Sequence, residues 1–122
     1  ATTWALRTDQ NNKLVTAGGL NAGSTSGIST SSPIIAGAST GSTNQVTFYL
    51  SGSQDNTATL ARNSGAGDQG SRIGVDWTGA EWGRFFDGRI FSIWMLNVNN
   101  ISASTRKRIE HSMAYSYKVS CS

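Results

Sequence analysis

Residues 85–98 read FFDGRIFSIWMLNV, and no other stretch of the chain limits its possible folds so strictly. After an Asp87-Gly88 turn signal, Ser92 is the single polar residue before Asn97 once Arg89 is passed. Strand alternation would put Ile90, Trp94 and Leu96 on one face and Phe91, Ile93 and Met95 on the other. A strand that is apolar on both phases has to be covered on both sides. The expectation is therefore a central strand over 90–96, with a second sheet on one face and a helix or long loops on the other. Trp94, like Trp4 on an earlier strand, is expected in the core.

The surrounding composition says what can cover it. Only 14% of the 122 residues are charged, Pro occurs once, and Gly, Ser, Thr and Asn are abundant. Ser, Thr and Asn compete with helical hydrogen bonds and Gly costs backbone entropy, so this usage disfavours helices and suits short strands joined by turns. Four Trp, four Phe and three Tyr argue against disorder outside the Ser/Gly-rich residues 23–32. One β-rich domain spanning 1–122 is expected.

Period-two patterns place strands at 2–8, 13–17 and, most clearly, 45–51, where Val46, Phe48 and Leu50 alternate with Thr47, Tyr49 and Ser51. Further strands are expected at 33–38, 56–61 and 72–76, with turns at 10–12 and 51–53. Residues 18–32 read as loop with at most one short strand, and 62–70 and 77–83 read as loops. One helix follows the apolar run: Ser102 is its cap, Ile101 a hydrophobic staple, and Ile109, Met113 and Tyr117 its apolar stripe. Arg106, Lys107 and Arg108 fall mostly off that stripe and oppose the helix macrodipole, so the helix is expected to depend on docking. They read as a solvated face in preference to a phosphate contact, and nucleic acid is not the expected partner.

Four pieces occur in order: VTFYLSG at 46–52, RIG at 72–74, FFDGRIFSIWMLN at 85–97 and ISASTRKRIEHSMAYSYKV at 101–119. Together they resemble the C-terminal part of the concanavalin A-like lectin/glucanase superfamily, in its laminin-G-like jelly-roll branch. The resemblance covers residues 45–119 and implies an all-β, antiparallel jelly-roll sandwich with a short C-terminal α-helix docked on one sheet. Ser51, Phe91-Ser92 and Thr105 depart from the residues usual in that branch, the last removing half of a capping box. The branch's N-terminal strands have no counterpart here, so either the sandwich is trimmed of them or they come from a partner chain or a removed segment, and an incomplete sandwich would leave open strand edges that favour association. A chain opening at Ala1 is expected to be a processed product or part of a longer protein.

The glucan-cutting relatives in that superfamily use paired carboxylates on one strand, which retaining hydrolysis needs about 5–5.5 Å apart. Here Glu81 and Glu110 are the only glutamates, and the nearest carboxylate pairs are separated by loop. No enzyme is expected. Cys121 is the one cysteine and His111 the one histidine, so neither a disulfide, a zinc site nor a nucleophile elbow is indicated. The resemblance implies calcium in many relatives, but Asp55, Asp68, Asp76 and Asp87 form no D-x-D-x-D loop, and no metal or other cofactor is expected.

Residues 76–84, DWTGAEWGR, bring Asp76, Trp77, Glu81, Trp82 and Arg84 within nine positions. An aromatic face with nearby polar groups is what a sugar ring requires, and these five are the candidate ligand-binding residues. Trp77 and Trp82 stay open between capping the end of the sandwich and contacting a ligand. The function expected first is a non-catalytic, lectin-like carbohydrate-binding or adhesion module on a surface-exposed or secreted protein. The alternative is a structural part of a bacteriophage virion, decorating the capsid or associated with the tail. Glycan, or a protein partner or second copy meeting open strand edges, are the partners considered. No apolar run approaches about 18 residues, so membrane insertion is not expected.

Overall fold

A computed structural model of the chain describes residues 5–9, 11–17, 22–40, 45–59, 73–77, 82–83, 85–96 and 100–122. They form short antiparallel strands and one C-terminal helix, an all-β architecture with an appended α-helix. The first sheet joins β1 (Ala5–Thr8), β2 (Lys13–Ala17) and β3 (Ala22–Gly27) in chain order. The second joins β4 (Ala36–Thr40), β5 (Gln45–Leu50) and β6 (Ser53–Thr59) in the same way. A two-residue ladder links β7 (Asp76–Trp77) to β8 (Trp82–Gly83), and α1 spans Ala103–Tyr117.

Each hairpin is set by local chemistry. Between β1 and β2, Asp9 Oδ1 accepts the amides of Asn11 (2.8 Å) and Lys13 (2.9 Å), and Asn12 takes the left-handed φ of 57° that Asn tolerates. Those amides hold the Asp9 carboxyl below its ordinary range, Lys13 foremost. Between β5 and β6, Ser51 and Gly52 both adopt positive φ, 50° and 86°. That is the pattern of the tight two-residue turn whose twist matches paired strands. The register slips where β2 meets β3: Leu14 N–H donates to Ser24 Oγ (2.9 Å), and Ser24 Oγ–H donates on to the Ser26 carbonyl (2.8 Å). A buried serine thus satisfies an amide that the slipped ladder leaves over.

The core is small. Val46 and Phe48 on β5 are fully buried with Leu14 of β2, and Ile28, Ala38, Leu50 and Ala58 pack around them. This is the alternation expected over 45–51. The two sheets are stitched through β3 and β6: Asp55 accepts the Thr25 and Ser26 amides, and Asn56 Nδ2 donates to the Gly23 carbonyl at 2.7 Å.

Helix α1 is capped as expected, with Ser102 Oγ accepting the Thr105 amide at 3.2 Å. Its buried line differs from the predicted stripe. Glu110 and Ala114 are the buried residues, Arg106 lies on the same line, and Tyr117 is exposed. Arg106 is therefore not part of a solvated basic face. Its guanidinium sits 3.8 Å over the Tyr49 ring, donates to the Gly52 carbonyl (3.3 Å) and pairs with Glu110 Oε2 at 2.5 Å. This clamp docks α1 onto the β5–β6 hairpin. The residues after the helix add to it, since Ser122 N–H donates to the Ser51 carbonyl at 2.8 Å.

The largest correction concerns residues 90–96. They form no strand and are not a covered spine: the chain from 85 to 96 is irregular and exposed, with Trp94 55%, Phe85 78% and Met95 80% accessible. The expectation that Trp94 is a core residue is likewise overturned, while Trp4 lies outside the described residues. Among the described residues, the cluster around Leu14, Val46 and Phe48 and the buried line of α1, which faces the β5–β6 turn, both leave 85–96 uncovered. Smaller corrections follow the same pattern. The expected strand at 33–38 begins only at Ala36, the one at 72–76 is reduced to Asp76–Trp77, and the loop over 77–83 contains paired backbone at its ends.

Candidate functional site

The sequence-predicted site is placed in part. Antiparallel pairing of β7 and β8 sets Asp76 opposite Gly83 and Trp77 opposite Trp82, so two candidate tryptophans and one candidate carboxylate fall on one small ladder. Glu81 and Arg84, the other two candidates, lie outside the described residues.

A second aromatic-rich surface was not anticipated. Among the described residues, two hydrogen bonds tie 85–96 to the rest of the molecule. The Phe86 amide donates to the Gly74 carbonyl at 2.8 Å, and the Tyr117 hydroxyl donates to the Phe91 carbonyl at 3.2 Å. The Phe91 and Tyr117 rings are stacked, with centroids 5.6 Å apart and planes inclined by 22°. Between 92–94 and α1 lies an open cleft of about 110 Å³, lined by Ser92, Trp94, Ser112, Met113, Ser116 and Tyr117. Trp94 Nε1–H donates to Ser92 Oγ at 3.2 Å, which fixes the indole at its rim.

The chain matches no known family model, curated protein or solved structure.

The 85–96 surface is apolar and aromatic. Phe85, Phe86, Ile90, Phe91, Ile93, Trp94, Met95 and Leu96 are all exposed and nearly consecutive, whereas large apolar patches on a protein surface mark interaction sites. Asp87 and Arg89 are the only charged residues among 85–96, and both are exposed. Elsewhere among the described residues, several titratable groups are held by structural contacts. Burial followed by the repulsion of Glu110 pushes the Cys121 thiol up, away from the thiolate that a nucleophile needs. His111 Nε2 lies 3.0 Å from the Ser122 carbonyl oxygen. The Asp55 carboxyl, partly desolvated, is nonetheless held below its ordinary range by the hydroxyl and amide of Ser26 and the amide of Thr25. Asp9 and Asp55 thus direct their carboxylates to backbone donors, and among the described residues no three His, Cys, Asp or Glu side chains group as metal ligands. No helix among them is long and apolar enough to cross a membrane.

Sequence reading missed this surface because periodicity shows that a segment apolar on both phases needs two covering layers, not whether its own chain provides them.

Proposed function

We propose that this chain is a non-catalytic assembly module, which joins protein chains through residues 85–96. One observation carries the reading: eight large apolar side chains stand exposed along twelve consecutive residues. Leaving them in water forgoes about 25 cal/mol for each Å² of apolar surface, and docking recovers that free energy. The enrichment in Phe, Trp and Met is typical of interface centres. In this reading the setting is a multichain particle, such as the virion that is the alternative named from sequence. The jelly-roll sandwich implied by the resemblance belongs to the assembled form, where a neighbouring chain supplies the cover that 90–96 lacks. Sedimentation velocity of the full chain over a concentration series tests this. The wild type associates as concentration rises, whereas Ile93→Asn with Met95→Gln stays a single chain while keeping its helical circular dichroism. A wild type that sediments as one chain throughout overturns the proposal.

The lectin-like reading, on an extracellular or surface-exposed protein, is favoured by a separate observation: the cleft at Trp94 offers an indole face beside the hydroxyls of Ser92, Ser112 and Ser116. Such a site suits the apolar face and hydroxyl edge of a pyranose. The Trp77–Trp82 ladder is the other sugar candidate, with Asp76, Glu81 and Arg84 from sequence. Tryptophan fluorescence titrated with a panel of polysaccharides separates them, because Trp94→Ala removes the response in one case and Trp77→Ala or Trp82→Ala in the other. No response to any polysaccharide leaves the assembly reading alone.

A further inference from the structure

We propose that α1 carries a separate binding surface whose occupant is single-stranded nucleic acid: Lys107, Arg108 and Lys118 meet its phosphates, and Tyr115 stacks on a base. The surface uses none of residues 85–96 and does not depend on the assembly reading.

On sequence alone Lys107 and Arg108 read as a solvated face. The structure adds an aromatic ring to that face and takes an anion away from it. Tyr115 is 89% accessible, the most exposed large hydrophobic side chain among the described residues. Lys107, His111 and Tyr115 follow one another at four-residue steps, and Tyr115 lies seven residues after Arg108, so the four share one side of the helix. Lys118, the left-handed C-cap residue at φ 53°, stands three residues further on. Lys107, Arg108, His111, Tyr115 and Lys118 are all exposed. The opposite edge of α1, with Ser112, Met113, Ser116 and Tyr117, lines the Trp94 cleft and is distinct from this face.

The anion is Glu110. It is the one acid on α1, it is buried, and its carboxylate is 2.5 Å from Arg106. A carboxylate that would otherwise offset the cations is thus turned inward and paired with Arg106. The exposed side of the helix carries Lys107, Arg108 and Lys118 with no acid of the helix between them, and such a one-signed surface attracts anions. His111 Nε2 lies 3.0 Å from the Ser122 carbonyl oxygen, and the charge of the face does not rely on it.

The ring selects among polyanions. Lys107 and Lys118 are about 16 Å apart along the helix axis, the length of a few nucleotides of one strand. A lone exposed ring is matched by an unstacked base, which a single strand offers and a duplex does not. Cations beside an aromatic platform are the arrangement that holds single strands without reading their sequence. An acidic polysaccharide satisfies the charges but brings no π-face to Tyr115.

Fluorescence anisotropy of a labelled oligothymidylate, titrated with the full chain at low salt, tests this. The wild type binds, and three phosphate contacts give a slope of about −2 in log affinity against log salt, at about −0.7 for each contact on a single strand. Lys107→Gln with Arg108→Gln lowers affinity at least tenfold and brings the slope to about −0.7, while Lys118→Gln alone reduces its size by about 0.7. Tyr115→Ala lowers affinity at least fivefold at an unchanged slope, and Tyr115→Phe, which keeps the ring, binds as the wild type does. All four positions are exposed, and helical circular dichroism confirms that each variant is folded. A wild type that does not bind the oligonucleotide overturns the proposal. So does binding that is indifferent to Tyr115→Ala, or a salt slope that the Lys107 and Arg108 changes leave as it was. Alginate, an anionic chain without bases, competes weakly at equal charge; competition as strong as that of unlabelled oligothymidylate assigns the face to acidic polysaccharide and overturns the proposal as well.

Discussion

Arg106 is the residue on which the docking of α1 most depends, and its removal has a calculable cost. Its side chain and that of Glu110 are only 13% and 9% accessible, and they meet at 2.5 Å. Replacing Arg106 by Met keeps most of the stem's packing but removes three things: the charge opposite Glu110, the cation over Tyr49 and the donor to the Gly52 carbonyl. Breaking a buried pair by deleting one partner costs about 3–5 kcal/mol when the remaining charge stays buried, and a cation–π contact about 0.5–2 kcal/mol. Because Glu110 can turn partly toward water once α1 loosens, the lower end of that combined range applies, about 3 kcal/mol. A domain of this length has a total stability of roughly 6–18 kcal/mol, so the loss is readily measured. Urea unfolding followed by helical circular dichroism should show a midpoint lower by roughly 1–3 M, given a slope of about 1–3 kcal/mol per M. Glu110→Gln alone should cost less, since the Arg106 cation it leaves unpaired keeps the Tyr49 ring and the Gly52 carbonyl, and the double variant should recover part of the loss, with a coupling of about 1–3 kcal/mol. Arg106→Lys should fall between, because an ammonium keeps the charge but not the planar stack on Tyr49. An Arg106→Met chain within about 0.5 kcal/mol of wild type, or a coupling indistinguishable from zero, refutes the clamp.

Gly52→Ala strains a position at φ 86° and drives a Cβ to 2.6 Å from both Cys121 Sγ and the Ser122 carbonyl oxygen, so the tail should lift and Cys121 should react faster with a disulfide reagent; an unchanged labelling rate counts against that packing. Asp55 should contribute stability that depends on pH in a definite sense. Its folded pKa is depressed, so the stabilisation is complete above the unfolded value of about 3.9 and is lost as pH falls through the lower folded value. The stability gap between wild type and Asp55→Asn should therefore be wide near pH 6 and close toward pH 3, and a gap that stays constant over that range refutes the Asp55 tie between β3 and β6.

Legibility from sequence tracked how local the determining chemistry is. The β5–β6 hairpin was readable because its two causes lie within nine residues: alternation at 46, 48 and 50, and a Ser-Gly pair able to take positive φ. The helix start was readable because a cap is a contact between residues three apart, here Ser102 and Thr105. The buried line of α1 was not, because it is chosen by partners more than fifty residues away. Arg106 looks solvated on a helical wheel, and only the Tyr49 ring and the Gly52 carbonyl make it a docking residue. Strand β3 was nearly invisible for the opposite reason. AGSTSG carries almost no apolar signal, and its place comes from Ser24, Asp55 and Asn56 supplying polar bonds to its backbone.

The failure at 90–96 is of a different kind and carries the functional argument. Periodicity reports which faces of a segment are apolar; it does not report whether the same chain provides what covers them. For most strands the distinction is idle, since a half-apolar strand needs one layer and a small domain can supply it. A segment apolar on both phases needs two, and among the described residues the core built around Leu14, Val46 and Phe48 leaves this one exposed. The demand for burial read from the sequence is thus unaltered by finding the segment bare. Under the assembly reading proposed above, that demand passes from the chain to its neighbour.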